Sequence, residues 1–307
     1  MKTILFRANS SSTIGTGHIM RDLVLAQKYA KKGHNIIFAS QELVGNINYK
    51  IKEAKYSIKI LKSNDFKELN KLIKKLNVDM LVIDHYEIDY EFERKIKDKN
   101  KNLKILSFDD TYEKHYCDIL LNHNISADIK RYKNLVPKNC KLKCGSRYTL
   151  LRDEFRVEKK RLQKSQKKRS KITKIFIAMG GADHSNINIK ILKVLKEFKN
   201  IKVNLVTTNA NRNLEELQKY CEDKKWIKLH INSNEIAKLM AKSDFAIVTP
   251  SVTVNEVCYL GIPMIAIKTA ENQRDIYEFL KKRNYQTLDK FSKTQLFNSV
   301  KFLKDTL

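Results

Sequence analysis

Apolar runs of strand length and longer segments with helical periodicity alternate along nearly all of the 307-residue chain, and this rhythm restricts the fold more than any other feature. "TILFRA" (3–8) reads as a strand, "HIMRDLVLAQKYAKKG" (18–33) as a helix closed by Gly33, and "NIIFAS" (35–40) as the next strand. After a stretch with weaker signals come the helix "DFKELNKLIKKL" (65–76), the strand "DMLVID" (79–84) and the helix "YEFERKIKDK" (90–99). "LKILSFDD" (103–110) and "CDILLN" (117–122) add two more strands. Near-continuous apolar strands separated by helices are the pattern of a parallel sheet covered on both faces.

The rhythm breaks at 156–171, "RVEKKRLQKSQKKRSK", which is polar and basic and reads as a solvated linker. It resumes with strands in "KIFIAM" (174–179), "KVNLVT" (202–207), "WIKLHI" (226–231), "FAIV" (245–248) and "PMIAIK" (263–268), separated by helical segments. A last helix, "KTQLFNSVKFLKD" (293–305), can cap either half. The expectation is an α/β fold of two doubly wound, Rossmann-like domains, 1–155 and 172–307, facing each other across a cleft and joined by the linker 156–171.

Charge points two ways. The 61 Lys and Arg against 34 Asp and Glu give a net +27, which suits phosphate neutralisation. The lysines are spread over nearly every helical segment, however, and no nucleic-acid-binding motif occurs, so no nucleic-acid partner is expected. The same basic field favours a small anionic substrate such as a nucleotide sugar. No apolar stretch approaches eighteen residues, and the N-terminal run is too short for a secretory signal. A cytoplasmic chain without stable membrane association, acting as a monomer, is the expectation. Five cysteines without a Cys-x-x-Cys pair read as reduced, mostly buried thiols.

In open parallel sheets, ligands bind beyond the carboxyl ends of the strands, where helix N-termini present backbone N–H groups. The first half offers Gly15-Thr16-Gly17-His18 there. Gly15 and Gly17 fit the first two glycines of a dinucleotide fingerprint, but Met20 replaces the third, so NAD binding is not implied. His18 falls in the first turn of the helix, where the positive dipole end favours neutral imidazole and a general-base role. A histidine that merely bonds its own loop is the alternative at this stage.

The second half offers Gly180-Gly181 after a strand, where backbone amides can approach a phosphate, with Asp183 or Ser185 capping the following helix. No P-loop signature exists in the chain. Ser251, Thr253, Asn255 and Glu256 lie at another strand-to-helix junction, and Asn272 and Gln273 at a third. A carboxylate there can accept both hydroxyls of a ribose; helix capping is its other role. Asp84, His85, Asp109, Asp110, His115 and Asp118 form a rival, metal-binding set. Adjacent strand residues point to opposite faces, so Asp84 and His85 are poor partners for one ion, and no metal is expected.

Taken together, G-x-G-H-x-x-R at 15–21, "IDHY", "SFDD", "LLRDEF", "MGGAD", "VNE" and "NQ" resemble the UDP-2,4-diacetamido-2,4,6-trideoxy-β-L-altropyranose hydrolases of pseudaminic acid biosynthesis, over nearly the whole chain. More distantly the chain is similar to the N-acetylglucosaminyltransferase that acts on lipid I, which has the GT-B architecture. The resemblance implies a GT-B-like fold and cofactor-free, metal-free, inverting hydrolysis of a UDP-sugar at the anomeric carbon, on the route to pseudaminic acid and flagellin glycosylation.

By that resemblance His18 deprotonates the attacking water, with Gly15 and Gly17 clearing space beside it. Gly180 and Gly181 hold the diphosphate, Glu256 takes the ribose, and Ser251, Asn255, Asn272 and Gln273 line the phosphate and sugar side. Tyr86 faces the sugar, Arg152 stabilises charge on the departing UDP, and uracil rests near Ile231. The rival readings are a GT-B glycosyltransferase that moves the sugar to an acceptor, a basic nucleic-acid binder indifferent to His18, and a UDP-sugar sensor without turnover.

Overall fold

The computed structural model of the chain describes residues 1–164, 171–181, 183 and 185–306. The chain divides into two compact units, Met1–Leu150 and Leu151–Leu307.

Unit 1 contains β1 (Thr3–Ala8), α1 (Gly17–Ala30), β2 (Asn35–Ser40), α2 (Asn48–Glu53), β3 (Ser57–Ile60), α3 (Phe66–Lys75), β4 (Met80–Asp84), α4 (Tyr90–Lys99), β5 (Lys104–Phe108), β6 (Ile119–Asn122) and β7 (Lys141–Cys144). These strands form one seven-stranded sheet in the order β3-β2-β1-β4-β5-β6-β7, every pair parallel. The order reverses between β1 and β4, whose ends pair Ala8 with Asp84. That reversal opens a crevice at the carboxyl end of the sheet.

Alternation along the strands sends side chains to two cores. Leu5, Ile37, Leu81, Ile83 and Ile105 meet Leu69 and Ile73 of α3 and Ile96 of α4 on one face. Ile4, Phe6, Phe38, Val82 and Leu106 meet Ile19, Val24 and Leu25 of α1 and Ile51 of α2 on the other. Each such aliphatic or aromatic side chain stabilises the fold by about 1.5–3 kcal/mol on burial, so neither face can be left open.

Unit 2 contains α5 (Asp153–Lys164), β8 (Thr173–Ala178), α6 (Ile187–Leu195), β9 (Ile201–Thr207), α7 (Leu214–Cys221), β10 (Ile227–Ile231), α8 (Ile236–Ala241), β11 (Phe245–Val248), α9 (Val252–Leu260), β12 (Met264–Ile267), α10 (Arg274–Lys282), β13 (Gln286–Leu288) and α11 (Lys293–Thr306). Its six-stranded sheet, β10-β9-β8-β11-β12-β13, is parallel throughout and reverses between β8 and β11. The loops that leave β8 and β11 therefore flank this unit's crevice.

One expectation changes, and two segments left open are filled in. The basic stretch 156–171 does not begin as a linker: residues 156–164 complete α5, which packs against α8 and α9. Phe155 is fully buried, and the Lys159 ammonium donates to the Leu260 carbonyl at 3.0 Å, so the helix is anchored by one ring and one cation in an otherwise polar segment. Positions 165–170 of that stretch lie outside the described residues, as do positions 182 and 184 around the expected cap Asp183. The weakly signalled region 41–64 holds α2 and β3, an edge strand whose "SIKI" is mostly exposed and so lacks the apolar run of a central strand. The last helix, α11, belongs to unit 2, where Leu296, Val300 and Leu303 join the core of β8, β9 and α6.

Candidate active site

At the crevice of unit 1 the chain leaves β1, turns, and enters α1. The turn is closed by an amide bond from Gly15 N–H to the Ser11 carbonyl (2.8 Å), and the Ser11 hydroxyl accepts from Ile14 N–H (2.9 Å). Gly15 has φ +85°, a left-handed conformation that favours glycine, and open space surrounds the positions where Gly15 or Gly17 would carry a Cβ. The turn delivers His18 as the second residue of α1.

His18 is buried, and its Nδ1 lies 2.6 Å from Oδ1 of Asp84, the last residue of β4. An ionised carboxylate only accepts, so Nδ1 carries the proton directed at Asp84, and in the neutral imidazole the lone pair is therefore on Nε2. Arg21, one turn later on α1, grips the same carboxylate: Nε donates to Oδ2 at 2.6 Å and Nη2 to Oδ1 at 2.5 Å. The 3.2 Å separation between Arg21 Nη2 and His18 Nδ1 is thus a contact between two donors that share one acceptor. Burial alone would push the Asp84 carboxyl up, but the Arg21 guanidinium and His18 outweigh it and hold it well below the usual carboxylate range.

The third arm of Arg21, Nη1, donates to Asp110 Oδ2 at 3.0 Å, and the Tyr86 hydroxyl donates to Asp110 Oδ1 at 3.0 Å. The Tyr86 ring stands edge-on to the His18 ring, with centroids 4.9 Å apart and planes at 84°. Next to Arg21 on α1, Asp22 is fully buried, and neither of its oxygens has a hydrogen-bond partner among the described residues. Burial, reinforced by the Asp84 charge, raises its carboxyl well above the ordinary range despite Arg21.

The crevice of unit 2 gathers the other sequence candidates. Gly180 follows β8 with φ +86°, and a Cβ on Gly181 would sit 2.9 Å from the Thr208 side chain, whose hydroxyl donates to the Gly181 carbonyl at 3.1 Å. Asp183 accepts from Ile187 N–H (2.9 Å) and Asn188 Nδ2 (2.8 Å), tying this loop to the start of α6. After β11, Ser251 takes the N-cap position of α9, yet its hydroxyl caps no backbone N–H and instead meets Thr249 Oγ1 at 3.1 Å. Asn255 is buried in the first turns of α9.

Glu256 follows, and Arg152 Nη2 donates to its Oε1 at 3.1 Å while Arg152 Nη1 lies 2.8 Å from Glu154 Oε1. Burial raises the Glu256 carboxyl, and Arg152 opposes that rise. Arg152 and Glu256, expected to serve different parts of a ligand, are therefore partners of each other. Ile231 ends β10. Asn272 and Gln273 lie in a short 3-10 turn before α10, Asn272 exposed and Gln273 accepting from Thr269 N–H at 2.8 Å.

The rival metal set is dispersed. Asp84 belongs to His18 and Arg21, whereas Asp109 accepts from Thr111 and Tyr132, and His115 bonds Glu93. Among the described residues no group of three or more His, Cys, Asp or Glu is arranged to hold a metal ion. No helix among them is long and apolar enough to cross a membrane.

Sequence reasoning missed Asp84 as the partner of His18, considered Asp84 and Asp110 only as metal ligands, and gave Arg21 and Asp22 no role. Asp84 carries a signal in retrospect: it ends the strand next to β1 across the order reversal, the position nearest the β1–α1 turn. Arg21 lies three residues after His18 on one helix face, which also could have linked them.

No protein-family model matches the chain. It is 39% identical over 288 residues to the UDP-2,4-diacetamido-2,4,6-trideoxy-β-L-altropyranose hydrolase of Campylobacter jejuni, covering 94% of this chain and 99% of that one. It is 30% identical over 295 residues to the uncharacterized protein MJ1062 of Methanocaldococcus jannaschii, covering 94% of this chain and 58% of that one. Among solved structures it is similar to MurG of Acinetobacter baumannii, with a TM-score of 0.65 and 13% identity over 99% of this chain and 91% of that one. The spinosyn rhamnosyltransferase SpnG gives a TM-score of 0.69 at 10% identity over 99% and 92%. The solved structures establish a GT-B-like α/β fold and no more than the fold. The identity and coverage shared with the Campylobacter enzyme place the chain in a family: it belongs to the UDP-2,4-diacetamido-2,4,6-trideoxy-β-L-altropyranose hydrolases.

Proposed function

We propose that the protein hydrolyses a UDP-linked 2,4-diacetamido-2,4,6-trideoxy sugar at its anomeric carbon, with inversion, releasing UDP and the free sugar. The observation that carries the reading is the buried His18–Asp84 pair at the crevice of unit 1, in a chain of this hydrolase family. With its Nδ1 proton fixed by Asp84, His18 offers Nε2 to a water molecule. As the water oxygen bonds to the anomeric carbon, His18 takes its proton, the carbon–oxygen bond to UDP breaks, and the electron pair leaves with the diphosphate. Asp84 then stabilises the imidazolium that forms.

Unit 2 recognises the nucleotide. Gly180 and Gly181 present backbone amides to the diphosphate, Glu256 accepts the ribose hydroxyls, and Ile231 borders the uracil, while Ser251, Asn255, Asn272 and Gln273 serve the phosphate and sugar side. Arg152 supports this role by holding Glu256, to which it is bonded, rather than by meeting the departing charge itself. Gly15, Gly17 and Tyr86 serve the sugar beside the base. The freed sugar enters pseudaminic acid biosynthesis in the cytoplasm.

UDP release from the UDP-sugar, in EDTA and without an acceptor, tests the reading. Release by the wild-type protein that is lost in His18→Asn is the expected result. Release that requires an added acceptor would assign the chain to the glycosyltransferases, and tight binding without release would make it a sensor.

A further inference from the structure

Arg21 occupies an unusual position between two carboxylates with different tasks. Nε and Nη2 hold both oxygens of Asp84, which orients the His18 imidazole, and Nη1 holds Asp110, whose other oxygen accepts the Tyr86 hydroxyl. The Tyr86 ring returns to His18 edge-on at 4.9 Å. The contacts close a ring of five side chains, His18, Asp84, Arg21, Asp110 and Tyr86, drawn from α1, the end of β4 and the segments after β4 and β5. The Arg21 guanidinium is also stacked 5.0 Å from the Phe108 ring centroid and is 6% exposed, so it has little freedom to serve anything else. Tyr86, by contrast, is 59% exposed although its hydroxyl is bonded inward.

We propose that Asp110 is a positioning residue, and that Arg21 acts through Asp84 and Asp110 to hold the base and the Tyr86 ring as one unit. Two consequences follow from the bonding. The Tyr86 hydroxyl is committed to Asp110, so Tyr86 presents its ring to the sugar and does not act as a proton donor. The charge of Arg21 is divided between two carboxylates, so each of those carboxylates sets how strongly Arg21 acts on the other and on the imidazole. The kinetic part of this inference rests on the hydrolase reading; the hydrogen-bonded part does not.

The two ends of the clamp differ in what they release. Removing Arg21 takes three donors from Asp84 and Asp110 and leaves His18 as the remaining side-chain partner of Asp84, whereas removing the Asp110 carboxylate frees one arm of Arg21 and the Tyr86 hydroxyl. The other titratable groups around His18 stay in place in either variant: Asp22 on α1, His85 after β4, Tyr86, and His123 after β6, which interacts electrostatically with Arg21 and Asp84.

The test is an NMR measurement of hydrogen exchange at the His18 Nδ1 proton in the full-length protein, with the signal assigned by its loss in His18→Asn. Exchange of that proton is expected to speed up several-fold in Asp110→Asn and further in Arg21→Met, as the carboxylate that holds it loosens. Unchanged exchange in Asp110→Asn would overturn the proposal. Asp110 is partly exposed, so that variant is decisive even if Arg21→Met fails to fold.

Kinetics supply the second arm. Asp110→Ala is expected to lower kcat about tenfold and raise KM several-fold through misplacement of the base and the ring, with Asp110→Asn recovering most of kcat. Tyr86→Phe breaks the same bond to Asp110 but keeps the ring and the Asp110–Arg21 pair, so it is expected to raise KM several-fold, and Tyr86→Ala to raise KM further and lower kcat as well. A wild-type enzyme that hydrolyses the sugar while Asp110→Ala leaves kcat and KM unchanged would remove the positioning role and leave the hydrolase reading intact. A wild-type protein that releases no UDP would remove the hydrolase reading, and the exchange measurement would still decide the clamp.

Discussion

His18 Nδ1 and Asp84 Oδ1 lie 2.6 Å apart although 66 positions separate them in the chain. Parallel pairing of β1 with β4 brings them together, because the strand that ends in Asp84 runs beside the one that feeds the histidine turn. Asp84→Asn puts an amide where a carboxylate fixes the tautomer and leaves Arg21 without its bidentate partner. UDP release should fall by about 10²–10⁴ with UDP affinity unchanged, the loss typical when the orienting acid of a histidine base is neutralised. Steady-state rates and UDP titrations on the same preparation check this, and a near-normal rate would show that Asp84 does not orient the base.

The Arg152–Glu256 pair makes a separate prediction for the nucleotide. In the proposed function Glu256 receives the ribose, and Arg152 is bonded to its carboxylate at 3.1 Å. Glu256→Ala should weaken UDP binding by about 10- to 100-fold, the worth of charge-assisted hydrogen bonds, and should abolish the preference for UDP over 2′-deoxy-UDP. Arg152→Gln should weaken both ligands less and narrow their ratio, which calorimetry with the two nucleotides measures. An unchanged ratio in both variants would remove Glu256 from the ribose.

The alternating α/β rhythm was legible because central parallel strands are buried on both faces and so read as apolar runs: "TILFRA", "DMLVID", "KIFIAM" and "FAIV" all became strands. β3 escaped because an edge strand needs no apolar run, and α5 was misread because a helix held by Phe155 and Lys159 shows little of its packing in composition. In the site, the His18 turn was legible from local chemistry, glycines before a helix start. Its partners were not, because Asp84, Asp110 and Tyr86 reach it through sheet order rather than spacing, and sequence offered the same acids to a metal as readily as to a histidine. Arg152 illustrates the same limit: its bond to Glu256 spans 104 positions.

Asp22 should weaken the fold at neutral pH. Its carboxyl is raised well above the ordinary value of 3.8, first by burial and then by Asp84. A group whose folded pKa is raised contributes stability that is complete below the unfolded pKa and is lost as pH rises toward the folded one. Asp22→Asn removes that pH-dependent penalty, so its Tm should exceed that of the wild type by about 2–4 °C at pH 7 and the difference should vanish near pH 3. A variant less stable at pH 7 than at pH 3, relative to the wild type, would mean that Asp22 is ionised and usefully paired.

His115 should behave with the same sign and the opposite value to the fold. Burial would lower its pKa, but Asp109 and Glu93 outweigh burial and raise it to about 10. Its Nδ1 lies 2.9 Å from Glu93 Oε1 and its Nε2 3.9 Å from Asp109 Oδ1, while the fully buried Glu93 also accepts from the Ser107 hydroxyl and Tyr116 N–H. A charged imidazolium between two buried carboxylates ties α4 to the segment after β5. Its contribution is therefore complete below the ordinary histidine value of 6.5 and is lost as pH rises through about 10. His115→Gln should lower Tm most at pH 6, by about 5 °C, and much less at pH 10.5, since the wild type has by then given up the same charge. Thermal melts of both proteins across that range decide it, and a Tm difference that stays constant would mean that His115 supports α4 by shape and hydrogen bonding alone, without its charge.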